Sequence, residues 1–228
     1  MKLTEKKDEY LAKIIHDLKT PTIAQIRALE SFLSSTGDKI EQEEKELIEL
    51  TLNSCNYMQR LIEIFSSVYK LNHEEIKLYK ERFNVVELVD EILKELGILL
   101  KYYDLELEVD SVDEIIIKAD KIQLKRVMEN LFSNCINYAF KNTKVFIQIK
   151  KQGENLIFQT KNHSSYIEPK ILKEIFKKYK TYASSYNKAG VGLGLYLSNE
   201  IISAHHGEMI AKSSIDNVNT FGFIIPIN

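Results

Sequence analysis

Two different hydrophobic periods divide the chain. From about Thr4 to Ser35, apolar side chains return at helical spacing (Leu11, Ile14, Ile15, Leu18, Ala28, Leu29, Phe32, Leu33), which predicts an amphipathic helix. The run Ser34-Ser35-Thr36-Gly37-Asp38 ends it, because glycine and small polar residues favour a turn. A second helix over Glu41–Lys70 carries a heptad-like stripe: Leu47, Ile48, Thr51, Cys55, Met58, Leu61, Ile62, Phe65, Val68 and Tyr69. One hairpin of two such helices cannot bury both stripes, so the pattern predicts a homodimer in which two hairpins form a four-helix bundle.

After a polar, charged stretch at Leu71–Arg82 the period changes. Branched or alternating runs predict strands near Ile76–Phe83, Leu105–Val109, Ile115–Lys118, Lys144–Lys150, Asn155–Lys161, Glu208–Ser213 and Phe221–Ile227. Helical patterns fall between them at Val85–Leu99, Lys121–Tyr138, Pro169–Lys178 and Gly192–His206, and Gln152-Gly153-Glu154 turns a hairpin. The expected fold is α+β: a helical hairpin over 1–70, a linker over 71–82, and a two-layer α/β sandwich over 83–228.

Composition narrows the class. With 228 residues, 44% of them hydrophobic, the chain can bury a substantial core. A formal net charge of −2 excludes the bulk basic field of a general nucleic-acid binder. No apolar run approaches the roughly 20 residues that span a bilayer, so no membrane contact is expected of this segment. Cys55 and Cys135 lack metal or redox spacing and read as reduced core thiols of a cytosolic protein.

The first candidate chemistry is His16-Asp17-Leu18-Lys19-Thr20-Pro21. His16 and Thr20 share a helix face one turn apart, and Asp17 adjoins His16. A neutral imidazole nitrogen accepts a phosphoryl group, and a neighbouring carboxylate holds the proton on the other nitrogen. Pro21 should bend the helix just past the site. Alone, such a hexapeptide reads more readily as a surface histidine on a charged helix.

Asn130 and Asn134 stand at i and i+4, so their amides face one way. Amide oxygens suit Mg²⁺ beside a triphosphate, while a helix–helix hydrogen-bond pair accounts for them as well. Gly190-Val191-Gly192-Leu193-Gly194-Leu195 follows the polar run Thr181–Ala189 and opens a helix. Its glycines let the backbone approach phosphate; without a leading strand it is a nucleotide lid rather than a dinucleotide fingerprint.

In order, the HDLKTP box, the two-asparagine box, Ile175-Phe176-Lys177-Lys178-Tyr179, the GVGLGL glycine box and the closing Thr220-Phe221-Gly222-Phe223-Ile224-Ile225-Pro226 resemble the core of a sensor histidine kinase of a two-component system. The likeness covers almost the whole chain. It implies a dimerisation and phosphotransfer hairpin joined to a GHKL-type catalytic ATP-binding domain. It further implies autophosphorylation on His16 with Asp17 assisting, and transfer to an aspartate of a response-regulator receiver domain. Thr20 would orient water for a phosphatase step. By the same likeness Asn130 and Asn134 hold Mg²⁺ and the phosphates of ATP, Tyr138 lines the pocket, and Gly190, Gly192 and Gly194 shape the lid. Related ATPases carry a glutamate base at the Asn130 position, and an amide there spares ATP from water. Such kinases are commonly the cytoplasmic part of a membrane-bound receptor.

The chain departs from that pattern at two places. Where the family reads Asp-x-Gly-x-Gly, this chain has Asn162-His163-Ser164-Ser165-Tyr166, so the acceptor for the adenine amine is the neutral Asn162. Asn137 stands where a lysine is common. These changes raise an alternative: a degenerate kinase that binds ATP weakly and serves as a regulator-docking or phosphatase scaffold. His73, His163, His205 and His206 read as solvated or structural, and Lys177, Lys178 and Lys180 as a solvated face.

Overall fold

The computed structural model describes residues 2–36, 40–71, 76–180 and 192–228, and the chain divides into two compact units, Met1–Glu75 and Ile76–Asn228. The first unit is a hairpin of α1 (Lys2–Thr36) and α2 (Gln42–Leu71). Pro21 lies inside α1, which continues as a helix to Thr36. The Thr22 hydroxyl donates to the Leu18 carbonyl at 2.8 Å, and this satisfied polar group is buried beside Ile26.

The buried face of α1 therefore runs through Thr22 and Ile26 rather than through the whole predicted stripe. Leu18 and Phe32 are exposed, and so are Leu47, Leu50 and Phe65 on α2. Cys55 and Val68 are the buried residues of α2. The apolar positions of each helix thus split between a face turned to the other helix and a face left open.

In the second unit, five strands order as β2-β4-β5-β7-β6: β2 (Glu106–Ser111), β4 (Lys144–Gln152), β5 (Asn155–His163), β7 (Val218–Pro226) and β6 (Glu208–Ser213). The β2–β4 pair is parallel and the remaining pairs are antiparallel. A separate antiparallel ribbon joins β1 (Glu81–Asn84), which begins inside the predicted linker, to β3 (Ile116–Ala119). Helices α3 (Val85–Tyr102), α4 (Lys121–Tyr138) and α6 (Gly194–Ala204) pack on the sheet. Phe132 of α4 meets Phe158 of β5 edge-on at 5.5 Å, and Phe158 stacks on Phe223 of β7 at 5.3 Å. All three rings are fully buried, which fixes where α4 lies over the sheet.

Caps set the helix ends. Asn84 Oδ1 accepts from the amides of Val86 and Ile115, closing the start of α3 onto the residue that precedes β3. Asp120 caps α4 by accepting from the Gln123 amide at 3.0 Å. Past α6, His206 sits at φ +60°, and Gly207 N–H donates to Ile202 O while His206 N–H donates to Ser203 O. That pair of bonds is a Schellman closure with a histidine in the left-handed position usually given to glycine. The predicted helix Pro169–Lys178 shrinks to the single turn α5 (Pro169–Leu172). Beyond it the bonds run i to i−3: Glu174 N–H to Ile171 O and Lys177 N–H to Glu174 O.

One buried knot ties this unit together. The Asp120 amide donates to His205 Nε2 at 3.1 Å, and His205 Nδ1–H donates to Ile201 O at 2.8 Å. Both imidazole nitrogens are thereby used by a neutral ring. The other Asp120 oxygen accepts from the Tyr79 amide at 2.9 Å, so the segment entering the unit is held by the same carboxylate. Burial pushes the His205 imidazole below its ordinary value of 6.5, and protonation would set a new N–H against the Asp120 N–H.

Below about pH 6.5 the unfolded chain therefore binds a proton that the folded chain refuses, and stability falls as pH drops. A His205→Gln variant should show a shallower loss of stability than the parent between roughly pH 6.5 and 5, read by denaturant titration. Replacing exposed His206 with glycine, which adopts φ > 0 freely, should stabilise the unit by about 0.5–1 kcal/mol, measured the same way.

Candidate functional site

The α4 helix carries the two-asparagine box on the edge of its buried face. Leu131, Phe132 and Cys135 enter the core, and Asn130 and Asn134 lie half-buried at its margin. Burial pushes the Cys135 thiol up to about 12 against an opposing hydrogen bond with Thr160, so it is an inert core thiol. Asn130 Nδ2 donates to Ser198 Oγ of α6 at 3.0 Å. In this orientation Asn130 Oδ1 faces Gly194, the first residue of α6.

A Cβ at Gly194 would meet Asn130 Oδ1, so any side chain there displaces the Asn130 amide. Gly192 has φ +68° and no room for a Cβ against the Lys180 backbone carbonyl. Glycine is demanded at Gly192 by both conformation and backbone contact, and at Gly194 it keeps Asn130 in place. Leu193, the cap residue of α6, has no polar side chain to cap the helix start. The first α6 amides thus receive no acceptor from their own cap residue. Gly190 lies outside the described residues.

Tyr138 is the last residue of α4 and half-buried, and Asn137 Nδ2 donates to Ser133 Oγ at 3.1 Å. Asn162 is buried on β5, directly opposite Asn219 of β7. Asn219 Nδ2 donates to Ser164 Oγ and to the Ser165 carbonyl at 2.9 Å, holding the stretch that follows β5. The lysine cluster is not merely solvated. Lys180 and Lys177 both pair with Glu174, at 2.9 and 3.1 Å, and hold its carboxyl below the usual range. Lys178 lies over the rings of Tyr179 and Tyr196.

Ser198, Asn219 and Ser164 were not singled out from the sequence. Ser198 sits four residues past Gly194 in a helix whose start was predicted two residues early. Asn219 is identified only by the β5–β7 register. His205 is structural, His206 and His163 are exposed, and His73 lies outside the described residues.

In the first unit, the His16 and Asp17 side chains are 80% and 62% exposed, with His16 Nδ1 at 3.5 Å from Asp17 Oδ1. The carboxylate favours the proton on Nδ1 and leaves the Nε2 lone pair for an electrophile. Thr20 is exposed, its hydroxyl 3.4 Å from the His16 carbonyl.

Among the described residues no three His, Cys, Asp or Glu side chains cluster to hold a metal. The Asn130 and Asn134 amides are hard oxygen donors one turn apart, suited to a divalent cation that takes its remaining ligands from phosphate and water. No helix among the described residues is long and apolar enough to cross a membrane.

Residues 119–228, which include α4, β5, α6 and β7, match the family model of the histidine kinase-, DNA gyrase B-, and HSP90-like ATPase. Over 95% of its length the chain is 28% identical to the sensor protein KdpD of Clostridium acetobutylicum, of which it spans 24%. It is 27% identical over 97% of its length to the sensor protein VanS of Enterococcus faecium, of which it spans 58%. Among solved structures, the Acinetobacter baumannii histidine kinase AdeS superposes with a TM-score of 0.65 at 20% identity, covering 93% of this chain and 98% of that one. Residues 119–228 thus match the histidine kinase-, DNA gyrase B-, and HSP90-like ATPase family, and the chain is similar over nearly its whole length to the sensor proteins KdpD and VanS.

Proposed function

We propose that the chain is the kinase core of a two-component sensor: it binds Mg·ATP in the second unit and phosphorylates itself on His16. The observation that carries this reading is the junction of Asn130 with Gly194, which joins the asparagine box of α4 to the uncapped start of α6. The phosphates lie against the first α6 amides, with Asn130 and Asn134 supplying oxygens to Mg²⁺, Tyr138 lining the pocket, and Gly190, Gly192 and Gly194 shaping the lid. Mg²⁺, when bound, neutralises charge on the β- and γ-phosphates. Asn162 takes the place of a charged acceptor at the base.

Transfer forms a bond between His16 Nε2 and the γ-phosphorus while the bond from that phosphorus to the β–γ bridging oxygen breaks, releasing ADP. The positive charge that develops on the imidazole is met by Asp17, which can take the Nδ1 proton. The phosphoryl group then passes to an aspartate of a response-regulator receiver domain. Thr20, on the same helix face, orients water for the reverse, phosphatase step. The open apolar face of the hairpin, with Leu18, Phe32, Leu47 and Phe65 exposed, supports a homodimer through a four-helix bundle. We place this core in the cytoplasm, as the catalytic segment of a sensor kinase.

A second reading keeps the scaffold and removes the kinase: the Asn162–Tyr166 stretch lacks the family's aspartate and both of its glycines. Binding separates the two, because the kinase needs Mg·ATP at cellular concentrations and the scaffold does not.

Incubated with γ-labelled ATP and Mg²⁺, the protein should acquire an acid-labile, alkali-stable label that is lost in His16→Gln; acid-stable label, or label persisting in that variant, excludes His16 as acceptor. In Gly194→Ala the new methyl should force Asn130 off Ser198. The expected cost is about 1 kcal/mol of stability for the lost hydrogen bond and a fall of about tenfold or more in Mg·ATP affinity, read by chemical denaturation and calorimetry.

A further inference from the structure

Ser198 is a buried polar residue on the inner face of α6, in the company of the buried Leu197, Ile201 and Ile202. A hydroxyl withdrawn from water costs free energy unless a partner compensates it, and the partner here is Asn130 Nδ2 at 3.0 Å. Tying α4 to α6 does not rest on this bond alone, because the buried Asp120–His205 bond joins the same two helices. What the Ser198 bond adds is a preferred orientation of one amide.

A carboxamide has a donor end and an acceptor end of nearly equal size, and a flip about its last side-chain bond exchanges them. With Nδ2 at Ser198, the oxygen lies toward the start of α6. That oxygen is the end that can ligate a hard divalent cation, whereas the nitrogen end presents hydrogens and no lone pair. The oxygen-outward orientation turns the nitrogen inward, where it needs an acceptor. Ser198 supplies one among neighbours that are otherwise apolar. Remove the hydroxyl, and the inward nitrogen loses its partner while the outward oxygen loses its advantage over the flipped state.

We propose that Ser198 is a positioning residue for the metal. By accepting from Asn130 Nδ2 it holds Oδ1 outward as a ready ligand for the divalent cation that accompanies the nucleotide. The inference rests on the reading of this unit as a Mg·ATP site. Ser198 acts through Asn130, so its contribution belongs to metal-dependent binding and is absent from the binding of nucleotide alone. The first amides of α6 differ in this respect, since they bear on phosphate with or without a cation.

The test is calorimetric titration of the whole chain with Mg·ATP and with ATP in EDTA, in the parent, Ser198→Ala and Ser198→Thr, with each variant's fold checked by chemical denaturation. In Ser198→Ala the Mg·ATP affinity should fall about three- to tenfold, the effect of one neutral hydrogen bond, while the metal-free affinity stays within about twofold. Ser198→Thr keeps the hydroxyl and should restore the Mg·ATP affinity to within about twofold of the parent. An unchanged Mg·ATP affinity in Ser198→Ala, or an equal loss with and without metal, overturns the proposal and leaves the nucleotide site intact. Absence of Mg·ATP binding by the parent rejects the nucleotide reading itself. Should Ser198→Ala fail to fold, Ser198→Cys, which puts a weakly accepting sulfur in place of the hydroxyl, decides by the same comparison.

Discussion

The approach of Gly194 to the side chain of Asn130 is the constraint from which the candidate site follows. It has three requirements: a residue without a Cβ at the start of α6, an amide held by Ser198, and an α4 helix that cannot retreat. The last is met by the Phe132–Phe158–Phe223 stack, which anchors the middle of α4 on the sheet two residues past Asn130. Close packing makes interiors respond to changes as small as one methylene. A displacement of α4 or α6 would therefore separate the Asn130 side chain from the start of α6, the two groups that on the proposed reading hold the triphosphate together.

A second joint works at the opposite end of the same two helices. Asp120 begins α4, His205 ends α6, and the bond between them means that the helices are tied at the N-terminus of one and the C-terminus of the other. The Asp120 carboxylate grips Tyr79 as well, so the entering segment, the end of the ribbon strand β3 and both helices meet at one buried residue, with His205 on its backbone amide. Such a joint depends on a neutral imidazole, because it uses one nitrogen as donor and the other as acceptor. Asn130–Ser198 and Asp120–His205 are thus two links between α4 and α6 with different duties. The first is half-exposed and lies beside the lid glycines; the second is buried and bears on stability.

What could be read from residues alone follows the range of the interaction involved. The limits of α4 and β6 are set by local signals, a capping aspartate before an amphipathic run and an alternating strand, and those limits match the structure. The helix over Pro169–Lys178 fails because its apolar spacing is helical but Glu168 supplies no side-chain cap and the chain tightens after one turn. On α1 the periodicity marks the helix but misassigns its inner face: Thr22 is buried because its hydroxyl bonds within the helix, which a hydrophobic pattern cannot register. The asparagine and glycine boxes are visible as motifs. Their mutual contact, the Ser198 link and the pairing of Asn162 with Asn219 arise from register and packing between segments far apart in sequence.

The proposed phosphoacceptor, His16, stands in contrast to this enclosed site. His16 is an exposed imidazole with an adjacent carboxylate at 3.5 Å. Exposure lets it be reached, yet water competes there for any activated phosphoryl group, and a solvated helix face offers no preorganised dipoles for the charge that develops in transfer. On the proposed reading, charge neutralisation and water exclusion must come with the nucleotide, and the helix contributes a nucleophile and a proton acceptor. The same exposure would let a receiver domain reach the phosphohistidine once ADP has left. A buried histidine could be better shielded for the first transfer, but it would have to be uncovered for the second.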